Sequence, residues 1–492
     1  MTMMLSEKHI SAVHKILTVG EIIEPSSPEY GSQKMVWSGQ KDRHPRLVLK
    51  PRSLPALQKT VKYLCESDLD FAVRSGGAGS SSASDIILTM SAFNGFHFDR
   101  NTEIATVGAG QTWGDIDRKI EESAPGYAGV GVRVPFIGVG GSLSFCVSWI
   151  SNNFGMGSDP QNLLDARIVL PDGRELWASE DPGLLWALRG GGGNFGVITE
   201  AKIKVHPFTS NICCFTIRFP DYALPAVSEA VSAFSKRPSE PKVAMHVFLM
   251  DLEQRTLRGE APKPCLELLI YDAYGKEHAQ SEDGFKWALD IDGAMVGPMS
   301  SVTLRQMNES QGKRNFQCKR VVAKGEPAAK LRSYMGMNGC LSTAITDNID
   351  RGILIRGKKW WEQVIATNPF LGANTYMILE VMQEAVFASS GGRGATAWPH
   401  DSRGHILQLC VGSAAENGFS EELALDLLRK APAEILPCHR PGDYIPLFIH
   451  EFHDLSQIFG QNYERLREIK TKYDPHGRLN KGFFIPPLKT CQ

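Results

Sequence analysis

The densest concentration of anion-binding chemistry lies at Phe71–Ser80, FAVRSGGAGS, where an apolar strand runs into three glycines and two serines. Backbone N–H groups converge on an anion only where no side chain intrudes, so glycine permits the approach and serine hydroxyls add donors. Such a loop suits a pyrophosphate; judged by composition alone it also reads as an exposed turn. It does not stand alone. Gly138-Val-Gly-Gly141 and Arg189–Ile198, RGGGGNFGVI, follow further along the chain. Three glycine-rich approaches imply a long ligand gripped by backbone at several points, and a dinucleotide fits that description.

Other motifs are weaker. Gly191–Gly196 matches GxGxxG, but a dinucleotide fingerprint follows a strand and opens a helix, whereas this one follows a helix and opens a strand. A Rossmann fold is therefore not expected. His450-Glu-Phe-His453 is one residue short of HExxH and lacks a third ligand, so no metal is expected there. GxSxG and the P-loop GxxxxGK[ST] are absent, which argues against an α/β-hydrolase and an NTPase.

The elements that must position these loops follow from pattern. Strands are expected at Arg46–Lys50, Phe71–Arg74, Ile86–Met90, Ile104–Val107, Leu163–Leu170 and Val197–Val205, and helices at Leu54–Cys65, Trp113–Ser123 and Asp181–Arg189. After Pro207 the texture changes to mixed strands, among them Cys213–Phe219, Val243–Leu249, Leu266–Tyr271, Thr375–Met382 and His405–Val411. The helices Leu224–Ser235 and Ser420–Lys430 accompany them. Leu455, Ile458, Phe459, Tyr463, Leu466, Ile469 and Tyr473 predict one amphipathic helix ended by Asp474-Pro475.

At 492 residues the chain is too long for one small core. Lys plus Arg (53) nearly cancels Asp plus Glu (54), so there is no basic excess for nucleic acid. No run of apolar residues reaches membrane length, and Glu7, Lys8 and His9 interrupt any signal-peptide core. The ten cysteines form no CxxC pair. These features predict a cytoplasmic protein, a monomer or weak homodimer, whose partner is a small-molecule substrate rather than nucleic acid or membrane.

The order VRSGG, VGAGQTWGDI, VPFIGVGG, FGMGSD, VLPDG, LLWALRGGGGNFGVIT and NYERLREIKTKYDP resembles the berberine-bridge-enzyme-like FAD-linked oxidoreductases of the vanillyl-alcohol-oxidase superfamily. The resemblance covers about 40–208 and 440–487. It implies an α+β fold: a PCMH-type FAD-binding domain of two subdomains, and a substrate domain whose antiparallel sheet roofs the flavin. The expected divisions are 1–208 for the FAD domain (core about 40–208), 209–434 for the substrate domain, and 435–492 returning to the FAD domain.

The resemblance also assigns residues. Arg74, Ser75, Gly76, Gly77, Ala78, Gly79 and Ser80 fall at the FAD pyrophosphate. Val139, Gly140 and Gly141 lie along the flavin and ribityl portion, and Gly193 and Val197 give backbone contacts. Tyr444 matches a Tyr-x-Asn near the flavin edge, although Pro446 replaces the Asn. Family members commonly tether FAD through His and Cys, where this chain has Ala78 and Val134. Noncovalent FAD is the expectation. The glycine triplet that usually follows GVGG is replaced by Phe145-Cys-Val-Ser148, and Cys146 stands in the wrong place for the usual linkage. Ile137 occupies a position where Val accompanies oxidases in this family, so slow reaction with oxygen is expected.

In such a site a substrate C–H passes hydride to the flavin while a side chain takes a proton. Thr375–Ala385 alternates so that Glu380, Met382 and Glu384 share a face. Glu380 and Glu384 are the candidate acid/base groups, with Tyr444 next; a carboxyl beside an apolar ring has its pKa raised by desolvation. Glu384 also reads as a solvated strand end, and His400 as structural. The expected activity is oxidation of a small hydrophobic or phenolic secondary metabolite, with oxidative cyclisation open. The alternative is a redox-neutral cyclase or isomerase that uses the FAD-containing pocket as a template.

Overall fold

The computed structural model describes residues 5–489 apart from 80, 239, 254, 256–258, 316–337, 383–385, 388–391, 393, 401–403 and 414–417, and the backbone alone at 312–315. Ser80 and Glu384, two of the expected site residues, lie outside the described residues.

Three sheets carry the chain. The first has strand order Ile22–Ile23, Leu47–Leu49, Ile86–Thr89, Phe71–Arg74. The helix Leu54–Glu66 links two of these strands; it starts at Ser53, whose hydroxyl accepts from the Ala56 amide, and buries Leu57, Val61 and Leu64 on one stripe. Phe71–Arg74 runs parallel to Ile86–Thr89, so the loop Ser75–Gly79 sits at the carboxyl end of a parallel strand. Ligands in α/β units bind at such ends.

The second sheet is antiparallel, in the order Phe96–Asp99, Ile104–Gly108, Val197–Pro207, Leu163–Val169, Glu175–Trp177, with Tyr127–Gly129 pairing the far end of Val197–Pro207. Its helix Trp113–Ser123 is closed by a capping box between Thr112 and Asp115 and buries Trp113, Ile116 and Ile120.

The third sheet draws on residues 212–413 and has eight strands. Its central order is Ile212–Phe219, Cys265–Asp272, Val243–Met250, Tyr376–Val381, His405–Ser413, Asn338–Thr346. Antiparallel register sets His246 opposite Glu380, and Ile378 opposite Gln408. Because side chains alternate, one face carries Ala244, His246, Phe248, Tyr271, Ile378, Glu380 and Gln408. The other carries Met245, Val247, Leu268, Ile270 and Leu379, which join the core formed with helices Leu224–Phe234, Ile353–Thr367 and Glu421–Ile435. The mixture of helices with parallel and antiparallel sheets is α+β.

Two expectations need correction. The periodic segment 455–473 is not one helix: Leu455–Phe459 and Tyr463–Tyr473 are separated at Gly460, whose φ of 50° leaves the right-handed helical region. The acid-bearing strand is Tyr376–Val381, one residue shorter at each end than the expected Thr375–Met382.

Candidate functional site

The glycine-rich approaches meet. Gly76 and Gly138 touch backbone to backbone: a Cβ on Gly76 falls 2.6 Å from the Gly138 nitrogen. The turn Val139–Ser142 in turn contacts the turn Gly192–Asn194. Gly77 has φ 82°, and its carbonyl accepts from the Trp37 amide at 3.0 Å. Gly79, Gly141 and Gly193 are exposed, with nothing within 4 Å of the place a Cβ would occupy. A glycine-walled opening of this kind fits the phosphate and ribityl part of a dinucleotide, because backbone amides can approach the anion closely.

Not every expected donor faces that opening. The Ser75 hydroxyl donates to the Ala109 carbonyl at 2.6 Å and accepts from the Gly140 amide at 3.2 Å, binding the loop to its neighbours. Arg74 stands behind the loop: its guanidinium donates to the carbonyls of Met35 (2.9 Å), Ser75 and Gly76 (3.3 Å each). Burial lowers its pKa to about 10. Val197 is buried at the head of its strand.

Ala78 and Ile137 pack against a buried cluster that contains Val134, Phe136 and Trp149. From the roofing sheet the same cluster takes Ala244, Phe248, Tyr271, Tyr376 and Ile378. Ala78 and Val134 thus bring only a methyl and an isopropyl group to one apolar cluster that also includes residues of the third sheet. Cys146 is fully buried, donates to the Ser142 carbonyl at 3.1 Å, and is held protonated by burial well above the usual thiol pKa. Phe145, at the replaced triplet, packs on Phe483.

Glu380 is 2% exposed and forms an ion pair with Arg133, the residue before Val134. Desolvation raises the Glu380 pKa, and Arg133 opposes that rise. The His246 ring approaches the second carboxylate oxygen at 3.8 Å; burial and Arg133 push the imidazole pKa well below its ordinary value, so this is a polar contact rather than a second ion pair. Arg133 Nε, Glu380 Oε2 and His246 Nδ1 are buried with no hydrogen-bond partner among the described residues. A carboxyl, a guanidinium and a neutral imidazole at one buried junction can exchange a proton with a neighbour.

Tyr444 lies beside the edge strand Asn338–Thr346 of the third sheet. It bridges to Ala344, sits edge-on to His439 (4.9 Å) and His453 (4.4 Å), and belongs to the larger core cluster. Burial pushes its phenol up to about 12. His450 and His453 are engaged with the Leu341 carbonyl and the His450 backbone amide. His400 pairs with Asp159 at 2.7 Å, as a structural residue would. Among the described residues no three metal-ligating side chains gather, and no helix is long and apolar enough to cross a membrane.

Arg133, Trp149, His246 and Gln408 are not apparent in the sequence. Alternation in Val243–Met250 places His246 on one face, but only the register with Tyr376–Val381 sets it beside Glu380.

A family model for an FAD binding domain matches residues 45–179, and one for berberine and berberine-like proteins matches 449–479. Both matches fall inside the stretches that resemble the berberine-bridge-enzyme-like FAD-linked oxidoreductases. (R)-6-hydroxynicotine oxidase of Paenarthrobacter nicotinovorans is 32% identical over 38% of this chain, a stretch covering 42% of that enzyme. FAD-linked oxidoreductase iacH of Pestalotiopsis fici is 23% identical over 98% of this chain and 92% of its own. The solved glucooligosaccharide oxidase of Acremonium strictum, described with 6-S-cysteinyl, 8α-N1-histidyl FAD, superposes with TM-score 0.78 at 14% identity, over 97% of this chain and all of that one. At that identity the likeness shows the fold.

Proposed function

We propose that this berberine-bridge-enzyme-like chain is an FAD-dependent oxidoreductase that holds its dinucleotide noncovalently and oxidises a small hydrophobic or phenolic metabolite. The observation that carries the reading is the buried Arg133–Glu380 pair, which ties the segment leading into the Gly138–Gly141 turn to the third sheet. The amides of Gly76, Gly77, Gly79, Gly141 and Gly193 are the groups that would hold FAD, which when bound would supply a hydride acceptor; the Gly140 amide is already engaged by Ser75 and the Ala109 carbonyl. Ala78 and Val134 offer no nucleophile, and the Cys146 thiol is buried and protonated. Glu380, its pKa raised by burial, takes or returns the substrate proton, while Arg133 fixes its orientation and limits the rise. Aromatic side chains of the roof favour a flat apolar substrate, and the similarity to a nicotine oxidase adds amines to the phenols. The chain acts as a monomer or weak homodimer in the cytoplasm.

A redox-neutral cyclase or isomerase is the second reading. It is favoured by the replacement of the family's glycine triplet with Phe145-Cys-Val-Ser148, whose Phe145 is buried against Phe483. One experiment separates the two. A panel of phenols and secondary amines, (R)-6-hydroxynicotine among them, is added without air to protein loaded with FAD. Bleaching of the oxidised flavin band by any member supports the oxidoreductase; product formation with the band unchanged supports the redox-neutral enzyme.

A further inference from the structure

Trp149 follows directly on the Phe145–Ser148 run and is 1% exposed. Its indole stacks on the His246 imidazole, with centroids 4.0 Å apart and 23° between planes. It also stacks on the Tyr271 phenol at 5.4 Å and 10°. Both partners stand on the sheet face that carries Glu380. Val134, 9% exposed, belongs to the same packed cluster, and Ala78 and Ile137 lie against it. The indole therefore lies flat against the roof, in the packed cluster that also holds Val134.

This packing satisfies shape but not polarity. Trp149 Nε1, His246 Nδ1 and the Tyr271 hydroxyl are all buried with no hydrogen-bond partner among the described residues. Buried indole and phenol tips are ordinarily paired, and each one left unpaired carries a desolvation penalty. Two unpaired polar atoms lining the slot, His246 Nδ1 and the Tyr271 hydroxyl, with a third on the indole that occupies it, mark a place better suited to a heteroaromatic ring with its own donors and acceptors. The phosphate end of the opening is different: Gly79, Gly141 and Gly193 need no rearrangement to admit a ligand.

We propose that Trp149 is a gate on the ring slot: FAD docks its ADP half in the glycine-walled opening unhindered, and its ring is seated beneath the roof only when the indole swings out. This rests on the reading that the opening holds FAD. In the resting protein the favourable burial of the ring is offset by the lost packing of Trp149, so the ring adds little to affinity. Removing the indole removes that offset, while binding of ADP stays as it was.

The test compares ADP and FAD binding to the full chain by titration calorimetry, with flavin fluorescence recorded for FAD. For the natural sequence the two affinities are expected within about threefold, with bound flavin still bright. Trp149→Gly is expected to tighten FAD roughly tenfold or more at unchanged ADP affinity, with flavin fluorescence quenched. Trp149→Phe, a milder change, should fall between. ADP binding reports whether a variant is folded; should Trp149→Gly fail it, the Trp149→Phe ratio decides. A ratio of FAD to ADP affinity that does not move in the folded variants overturns the gate. Absence of binding by either nucleotide to the natural sequence overturns the gate and the FAD reading together, an outcome distinct from an unmoved ratio.

Discussion

Arg133 and Glu380 meet as a buried ion pair that joins the glycine-rich loop segment to the roofing sheet across 247 residues of sequence. The pair has two consequences. It aims one carboxylate oxygen at the guanidinium and leaves the other beside His246 with no hydrogen-bond partner among the described residues. It also sets opposing influences on the Glu380 pKa, with desolvation the larger and Arg133 the counterweight.

Glu380→Gln keeps the shape of the side chain and removes its acid. If Glu380 moves the substrate proton, turnover should fall by about 10²–10⁴, the usual worth of a general acid or base. FAD affinity should be retained. Rates near those of the natural sequence would assign the proton to another group.

Arg133→Met removes the influence that lowers the Glu380 pKa and leaves desolvation unopposed. The acidic limb of the kcat profile, where the carboxylate becomes available, should move to higher pH. An unmoved limb, or one displaced to lower pH, would show that Arg133 does not control this carboxyl.

Asp117 gives a pH effect on stability outside the site. Burial is the largest influence on it, and raises its pKa to about 7 despite the Asn308 amide that donates to it at 2.8 Å. The folded protein keeps this proton at pH values where the unfolded chain has lost it. Its contribution is therefore full at low pH, and stability declines as pH rises from about 4 through about 7. Asp117→Asn removes the titration, so its melting temperature relative to the natural sequence should climb between pH 5 and pH 8. A difference that stays constant with pH would contradict this.

Lys470 is fully buried and donates to Asp474 (2.7 Å) and to the carbonyls of Asn194 (2.8 Å) and Leu479 (2.9 Å). It ties the helix Tyr463–Tyr473 to the turn after Gly191. Lys470→Met strands a buried carboxylate and should cost about 3–5 kcal/mol in chemical denaturation. A loss below about 1 kcal/mol would show that Asp474 finds another partner or a proton.

Local signals were legible where neighbours in sequence are neighbours in space. Trp113–Ser123 shows its capping box and its buried stripe in the sequence, and Phe71–Arg74 with its glycine loop is equally plain. Asn338–Thr346 and Ile353–Thr367 were not anticipated, because strand pairing and core placement are decided by distant segments. The break at Gly460 was missed because the apolar spacing continues across it. Glu380 could be placed on a strand face, but its partner could not. Arg133 comes from another sheet's loop, and His246 reaches it only through register. Trp149 carries no local signal in the sequence, because its stacking on two roof residues is a tertiary fact alone.

The most direct test of noncovalent FAD is equilibrium dialysis of the purified chain against FAD, followed by acid precipitation. The account predicts stoichiometric binding and complete release of the flavin into the supernatant. Flavin that remains on the precipitated chain, or no binding at all, would contradict it.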